Sequence, residues 1–131
     1  MRILFVSKHN SFKSIIAAAY LNLLSKQHEG ISAGLAAKDK EKVDSLVVEC
    51  MLEENIDLSG NTKTQLTSDL VKNSDKIILI GLKDEKIPSY IDKNMAIEWD
   101  IADFPTKSLE FHRKLRDKIK DKVEDLVSRI G

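Results

Sequence analysis

Apolar and polar positions fall in blocks along this chain, and the blocks change period from one to the next. Ile3, Leu4, Phe5 and Val6 form a continuous apolar run, partly β-branched and aromatic, which suits a strand covered on both faces. A polar stretch follows, Ser7-Lys8-His9-Asn10-Ser11-Phe12-Lys13-Ser14, with neither glycine nor proline. The apolar run from Ile15 through Leu24 is rich in Ala and Leu, which favours helix. The spacing predicts that this helix ends near His28-Glu29-Gly30, with Gly30 as its stop. Ile31-Ser32-Ala33-Gly34 reads as a short second strand bounded by glycines, and Ala36 to Lys42 as a polar connection.

Val43, Leu46, Val47, Cys50, Met51 and Glu54 recur at helical spacing and predict a second helix against the sheet. A short helix is expected around Leu66–Val71, inside the polar stretch from Thr62 to Asn73. Lys76-Ile77-Ile78-Leu79-Ile80 is the clearest strand after the first. Gly81 to Lys93 reads as a charged loop and Met95 to Trp99 as the last strand. After Ser108, a good N-cap, Phe111, Leu115, Ile119, Val123, Leu126 and Ile130 mark a long amphipathic helix. Its other face is crowded with charge, the pattern of a solvated surface.

Strands alternating with helices predict an α/β fold: a single domain over residues 1–131, built as a three-layer sandwich with a four-stranded parallel sheet and helices on both faces. Such sheets bind ligands beyond the carboxyl ends of their strands. The Ser7–Ser14 stretch follows the first strand and precedes the first helix, so it lies at that edge. A strand running through a tight loop into a helix converges backbone N–H groups and the helix N-terminus on one point, which suits an anion. Lys8, Lys13 and the hydroxyls of Ser7, Ser11 and Ser14 add donors and positive charge.

Composition narrows this picture. The 131 residues carry 21 Lys plus Arg and 21 Asp plus Glu, a formal net charge of zero, so there is no global electrostatic case for nucleic acid or an anionic membrane. No apolar run is long enough to span a bilayer and the N-terminus lacks a signal-peptide pattern, so a soluble cytoplasmic protein is expected. Cys50 is the sole cysteine. It excludes an intrachain disulfide and a cysteine cluster for zinc or iron–sulfur, and no cofactor is expected. Its place on an apolar stripe suits a small buried hydrophobe rather than a reactive thiol.

The polar loop resembles the phosphate-binding loop of the low-molecular-weight protein tyrosine phosphatases and the thioredoxin-type arsenate reductases, which share one fold. That loop reads C-x-x-N-x-x-R-S. Asn10 and Ser14 match it, whereas Ser7 stands at the cysteine and Lys13 at the arginine. The resemblance continues through Ser32-Ala33-Gly34 and through Ile56-Asp57-Leu58-Ser59. It extends to Glu98-Trp99-Asp100-Ile101-Ala102-Asp103-Phe104-Pro105, which is similar to a his-trp…asp-pro loop. It implies that Ser7, Lys13 and Asp103 occupy the catalytic positions and that residues 7 to 14 bind phosphate. Phe104 separates Asp103 from Pro105, a departure from the family's Asp-Pro pair.

The two chemical positions are both changed. A serine hydroxyl is far less acidic than a cysteine thiol and needs an adjacent base. His9 is near in sequence, but a base also needs an orienting partner. Lys13 keeps a positive charge and loses the fork that grips two oxygens. An arsenate reductase relay needs further cysteines near the third strand, and Ile80 to Pro88 has none. These readings lead to a phosphatase-like module that binds phosphate, a phosphorylated residue or a related oxyanion without efficient catalysis. The alternative enzyme reading is a slow or altered phosphatase using Ser7 with Asp103. A structural protein whose loop binds nothing is the third, and a protein partner stays open.

Overall fold

The computed structural model describes residues 1–102 and 108–131. Its elements are β1 (Arg2–Ser7), α1 (Lys13–Leu24), β2 (Glu29–Gly34), α2 (Ser45–Leu52), α3 (Ser68–Lys72), β3 (Lys76–Ile80), β4 (Ile97–Trp99) and α4 (Leu109–Ile130). The four strands form one sheet in the order β2-β1-β3-β4, and every pair is parallel. The α/β class and the four-stranded parallel sheet are therefore as the sequence predicts.

Successive residues of β1 face opposite sides, so the apolar run feeds two cores. Ile3 and Phe5 join Ile78, Ile80, Trp99 and the apolar faces of α1, α2 and α4. Leu4 and Val6 join Leu79, Ala33, Leu66, Leu82 and Ile91, with Leu70 and Val71 of α3 packed against them. Three helices thus cover one face, and α3 with the 82–96 connection covers the other. Burying a side chain the size of Phe5 contributes roughly 1.5–3 kcal/mol.

Some boundaries differ from expectation for identifiable reasons. Helix α1 ends at Leu24, because the Ser25 hydroxyl accepts the N–H groups of Gln27 and His28 and turns the chain. Gly30 is no helix stop. It lies within β2, where a Cβ would come 2.9 Å from the Ala18 carbonyl oxygen, so glycine lets β2 approach α1. Val43 is in the core but outside α2, since its N–H donates to Asn61 O beside the Lys42–Thr62 bridge. The short helix α3 starts later than expected, after Thr67 caps it by accepting the Leu70 N–H. Strand β4 is trimmed because Met95 and Ala96 donate to Asp92 O in a turn.

The outer edge of β2 is largely closed. Asn22 accepts from Gly30 N–H at 2.8 Å and donates to Gly30 O at 3.0 Å. Gly34 N–H donates to Thr64 O, and Leu66 N–H donates to Gly34 O. None of the described helices is long and apolar enough to cross a membrane.

Candidate functional site

The carboxyl end of β1 runs into the 8–12 loop, where Asn10 takes a left-handed conformation with φ of 50°. Asparagine tolerates that region better than most residues. The loop rests on Gly34, where a Cβ would lie 2.6 Å from the Asn10 nitrogen, so only glycine permits this approach. Ser7 O accepts Leu35 N–H and Lys8 O accepts Ala36 N–H, which extends the β1–β2 pairing to the base of the loop.

Asn10 is the organising side chain and is wholly buried. Its Oδ1 accepts Thr64 N–H at 2.8 Å and its Nδ2 donates to Ser14 Oγ at 2.8 Å. Ser14 Oγ lies 2.7 Å from Ser7 Oγ, and Asn10 N–H donates to Ser7 Oγ at 3.2 Å. Either hydroxyl can donate in the Ser7–Ser14 bond, and one of the two arrangements has Ser14 donating to Ser7. Ser7 Oγ then accepts two hydrogen bonds, and its own proton is left for a ligand. Lys63, itself buried, pairs with Glu41 and Asp44 and pins the segment that presents Thr64.

Helix α1 begins after Phe12, a residue that cannot cap it, and among the described residues it has no side-chain cap. The Phe12 ring packs 4.5 Å from the ring of His112 at the start of α4. Lys13 is only 7 % exposed, and its Nζ donates to Ile101 O at 3.3 Å. Lys8 is exposed and pairs with Glu85 at 2.9 Å. His9 is exposed, and its Nδ1–H donates to Ala36 O at 3.2 Å. Among the described residues no acid or base lies within hydrogen-bond reach of Ser7 Oγ.

Ser7, Asn10, Lys13 and Ser14 therefore come together in a buried cluster, with Ser11 and Phe12 half-buried beside it. Lys8 and His9 point to other partners, Glu85 and Ala36. Asp103, Phe104 and Pro105 lie outside the described residues. Cys50 is wholly buried on α2, where burial pushes its thiol pKa up. Among the described residues no group of His, Cys, Asp and Glu has the arrangement of a metal site.

Gly81, Thr64, Glu85 and the Ile101 carbonyl escaped the sequence reading. Thr64 and Ile101 act through main-chain groups, which no side-chain pattern encodes. Gly81, with φ of 66° directly after the clearest strand, carried the one available signal.

Comparison with known proteins gives a consistent result. Residues 2–131 match the low molecular weight phosphotyrosine protein phosphatase family. A glutaredoxin arsenate reductase of Synechocystis sp. is 28 % identical over 132 residues, covering 99 % of this chain and 98 % of the relative. The YwlE arginine phosphatase of Geobacillus stearothermophilus superimposes with a TM-score of 0.85 at 25 % identity, over 98 % of this chain and 92 % of that one. An arsenate reductase in its phosphate-binding state superimposes with a TM-score of 0.80 at 27 % identity, over 99 % and 98 % of the two chains. The chain belongs to the low molecular weight phosphotyrosine protein phosphatase family.

Proposed function

We propose that this protein is a phosphatase-like module that binds phosphate, or the phosphoryl group of a phosphorylated ligand, in the Ser7–Ser14 loop without efficient turnover. The observation that carries this reading is the Asn10–Ser14–Ser7 network beneath an uncapped helix N-terminus. Loop amides, the α1 dipole and the Ser7 hydroxyl proton supply donors for an oxyanion, and none of them depends on a cysteine. A relative of 27 % identity in a phosphate-binding state supports the same use of the fold.

Catalysis lacks two of its parts. Ser7 Oγ receives the Asn10 N–H, and among the described residues no base stands by to take its proton. Lys13 offers a single ammonium in place of a planar fork. Arsenate reduction by a thiol relay has no chemical basis in a chain whose one thiol is buried. Phosphorylated protein is the macromolecular partner in keeping with this site; nucleic acid and membrane are not.

The test is a titration with inorganic phosphate followed by NMR. The amides of Lys8 to Ser14 should shift together and saturate, and hydrolysis of an aryl phosphate should stay at background. Loop amides that stay still at millimolar phosphate would leave the loop a purely structural element. Steady turnover abolished by Ser7→Ala would instead establish a serine-dependent phosphatase.

A further inference from the structure

We propose that the cleft along the outer edge of β2 binds one apolar residue of an extended segment of a partner protein, held through the main-chain pair of Ser32. It does not depend on the anion loop, and it gives the domain a second place at which to hold polypeptide.

The floor of the cleft follows from the register of β2. Glu29 N–H donates to Met1 O and Leu35 N–H to Ser7 O, so residues 29, 31, 33 and 35 turn their main-chain groups towards β1. Gly30, Ser32 and Gly34 turn theirs outwards. Asn22 satisfies Gly30, and the 64–66 segment satisfies Gly34. Among the described residues nothing bonds the outward N–H and C=O of Ser32 or its hydroxyl. Ser32 is half-buried, and its hydroxyl is not sealed off from the cleft. Main-chain groups that are partly covered in this way call for a partner.

The lining defines that partner. The cleft has a volume of about 610 Å³, within the range of ligand sites. Ile15 and Ala19 of α1, Ile56 and Leu58 of the α2–α3 connection and Leu70 of α3 give it apolar surface. The two charged side chains that line it, Arg2 and Glu29, pair with each other at 3.4 Å. The cleft therefore carries no net charge, and charge complementarity selects a neutral occupant. One donor beside one acceptor on a strand edge selects the amide repeat of a polypeptide. In antiparallel pairing a single residue gives its N–H to Ser32 O and takes Ser32 N–H on its own carbonyl. The satisfied positions on either side admit no second pair. The hold is thus fixed at one residue, whose apolar side chain falls among the apolar groups of the cleft.

The experiment is an NMR titration of the whole chain, labelled with ¹⁵N and with ¹³C at its methyl groups, against N-acetyl-leucine N-methylamide. The Ser32 amide should move downfield and saturate at millimolar ligand, with the methyl groups of Ile56 and Leu70 following the same curve. An analogue with an ester oxygen in place of the leucine N–H should bind about three- to tenfold more weakly, the worth of one hydrogen bond. Ala19→Phe, whose ring fills the cleft, should abolish the Ser32 shift. A Ser32 amide that stays still at tens of millimolar ligand overturns the proposal. So does an ester analogue that binds as well as the amide, since the main-chain pair is then unused. An unchanged response in Ala19→Phe overturns it too. Should that variant fail to fold, the ester analogue decides alone.

Discussion

The hydroxyl oxygens of Ser7 and Ser14 lie 2.7 Å apart, one on the last residue of β1 and the other on the second residue of α1. This bond ties the end of the strand to the start of the helix. When Ser14 is the donor, this bond and the Asn10 N–H aim two donors at Ser7 Oγ, the atom that the sequence resemblance sets at the family's sulfur. Such an arrangement favours an anion at that position. An alcohol is too weak an acid to use it, whereas a thiol is not.

The double replacement Ser7→Cys with Lys13→Arg should therefore yield measurable hydrolysis of an aryl phosphate, with the unmodified protein at background. Ser7→Cys alone should show a thiol that reacts with alkylating reagents below the ordinary cysteine pH range. A double variant that folds and binds phosphate yet hydrolyses nothing would place the defect beyond the loop, in the general acid that the sequence resemblance assigns to Asp103.

Asn10→Ala should be among the most damaging single changes. It strands a Thr64 N–H and a Ser14 hydroxyl in a buried site and removes a side chain suited to positive φ. Each unsatisfied buried group costs roughly 1–3 kcal/mol, so a stability loss of about 2–4 kcal/mol is expected in urea denaturation. A loss below about 1 kcal/mol would contradict the central place given to this residue.

Glu85→Gln should tighten phosphate binding. The Lys8–Glu85 pair spans 2.9 Å with both side chains partly exposed, so its hold on Lys8 is weak and screened. Releasing Lys8 and removing a carboxylate from the rim should raise affinity about two- to fivefold by calorimetry, since an exposed pair contributes roughly 0–1 kcal/mol. Lys8→Met combined with Glu85→Gln should lose much of that gain. An unchanged affinity in Glu85→Gln would show that the rim charges do not reach the site.

Acid stability should depend on Glu53. Hydrogen bonds from Arg113 and Arg116 on α4 hold its carboxyl at about 2, far below the ordinary 4.5. A carboxyl depressed in the folded state stabilises the protein above its unfolded pKa, and that contribution is lost as pH falls towards the folded value. The stability lost between about pH 4.5 and 2 should therefore shrink in Glu53→Gln. Equal acid sensitivity in both proteins would remove Glu53 from the list of causes.

The sequence made the frame legible where side chains decide it. The Lys76–Ile80 strand has the bounds its apolar run suggested, and Ser108 caps α4 by accepting the Phe111 N–H. The loop was legible through Asn10 and Ser14, which carry side-chain bonds to each other. The Lys13 direction was not, because a main-chain carbonyl and the approach to a glycine, which no side-chain pattern encodes, lie on its path. Lys8 and His9 looked like members of the cluster by proximity in sequence. Their backbones do follow β1, but their side chains find Glu85 and the Ala36 carbonyl instead. The end of α1 lies short of the expected Gly30 because packing against Ala18, and not helix termination, is what requires glycine there.

The Asn22 side chain occupies Gly30 as the backbone of a neighbouring strand would, giving and taking one hydrogen bond. The sheet thus carries its own chain terminator. With Gly34 engaged by the 64–66 segment, an approaching strand meets only the outward main-chain groups of Ser32 between two blocked positions. Strand addition grows by successive pairs, and a lone pair cannot seed it. The outermost strand of a parallel sheet is thereby kept from polymerising, through a helix residue far from the anion loop. The colloidal behaviour of this domain is written in Asn22 as much as in its balanced charge.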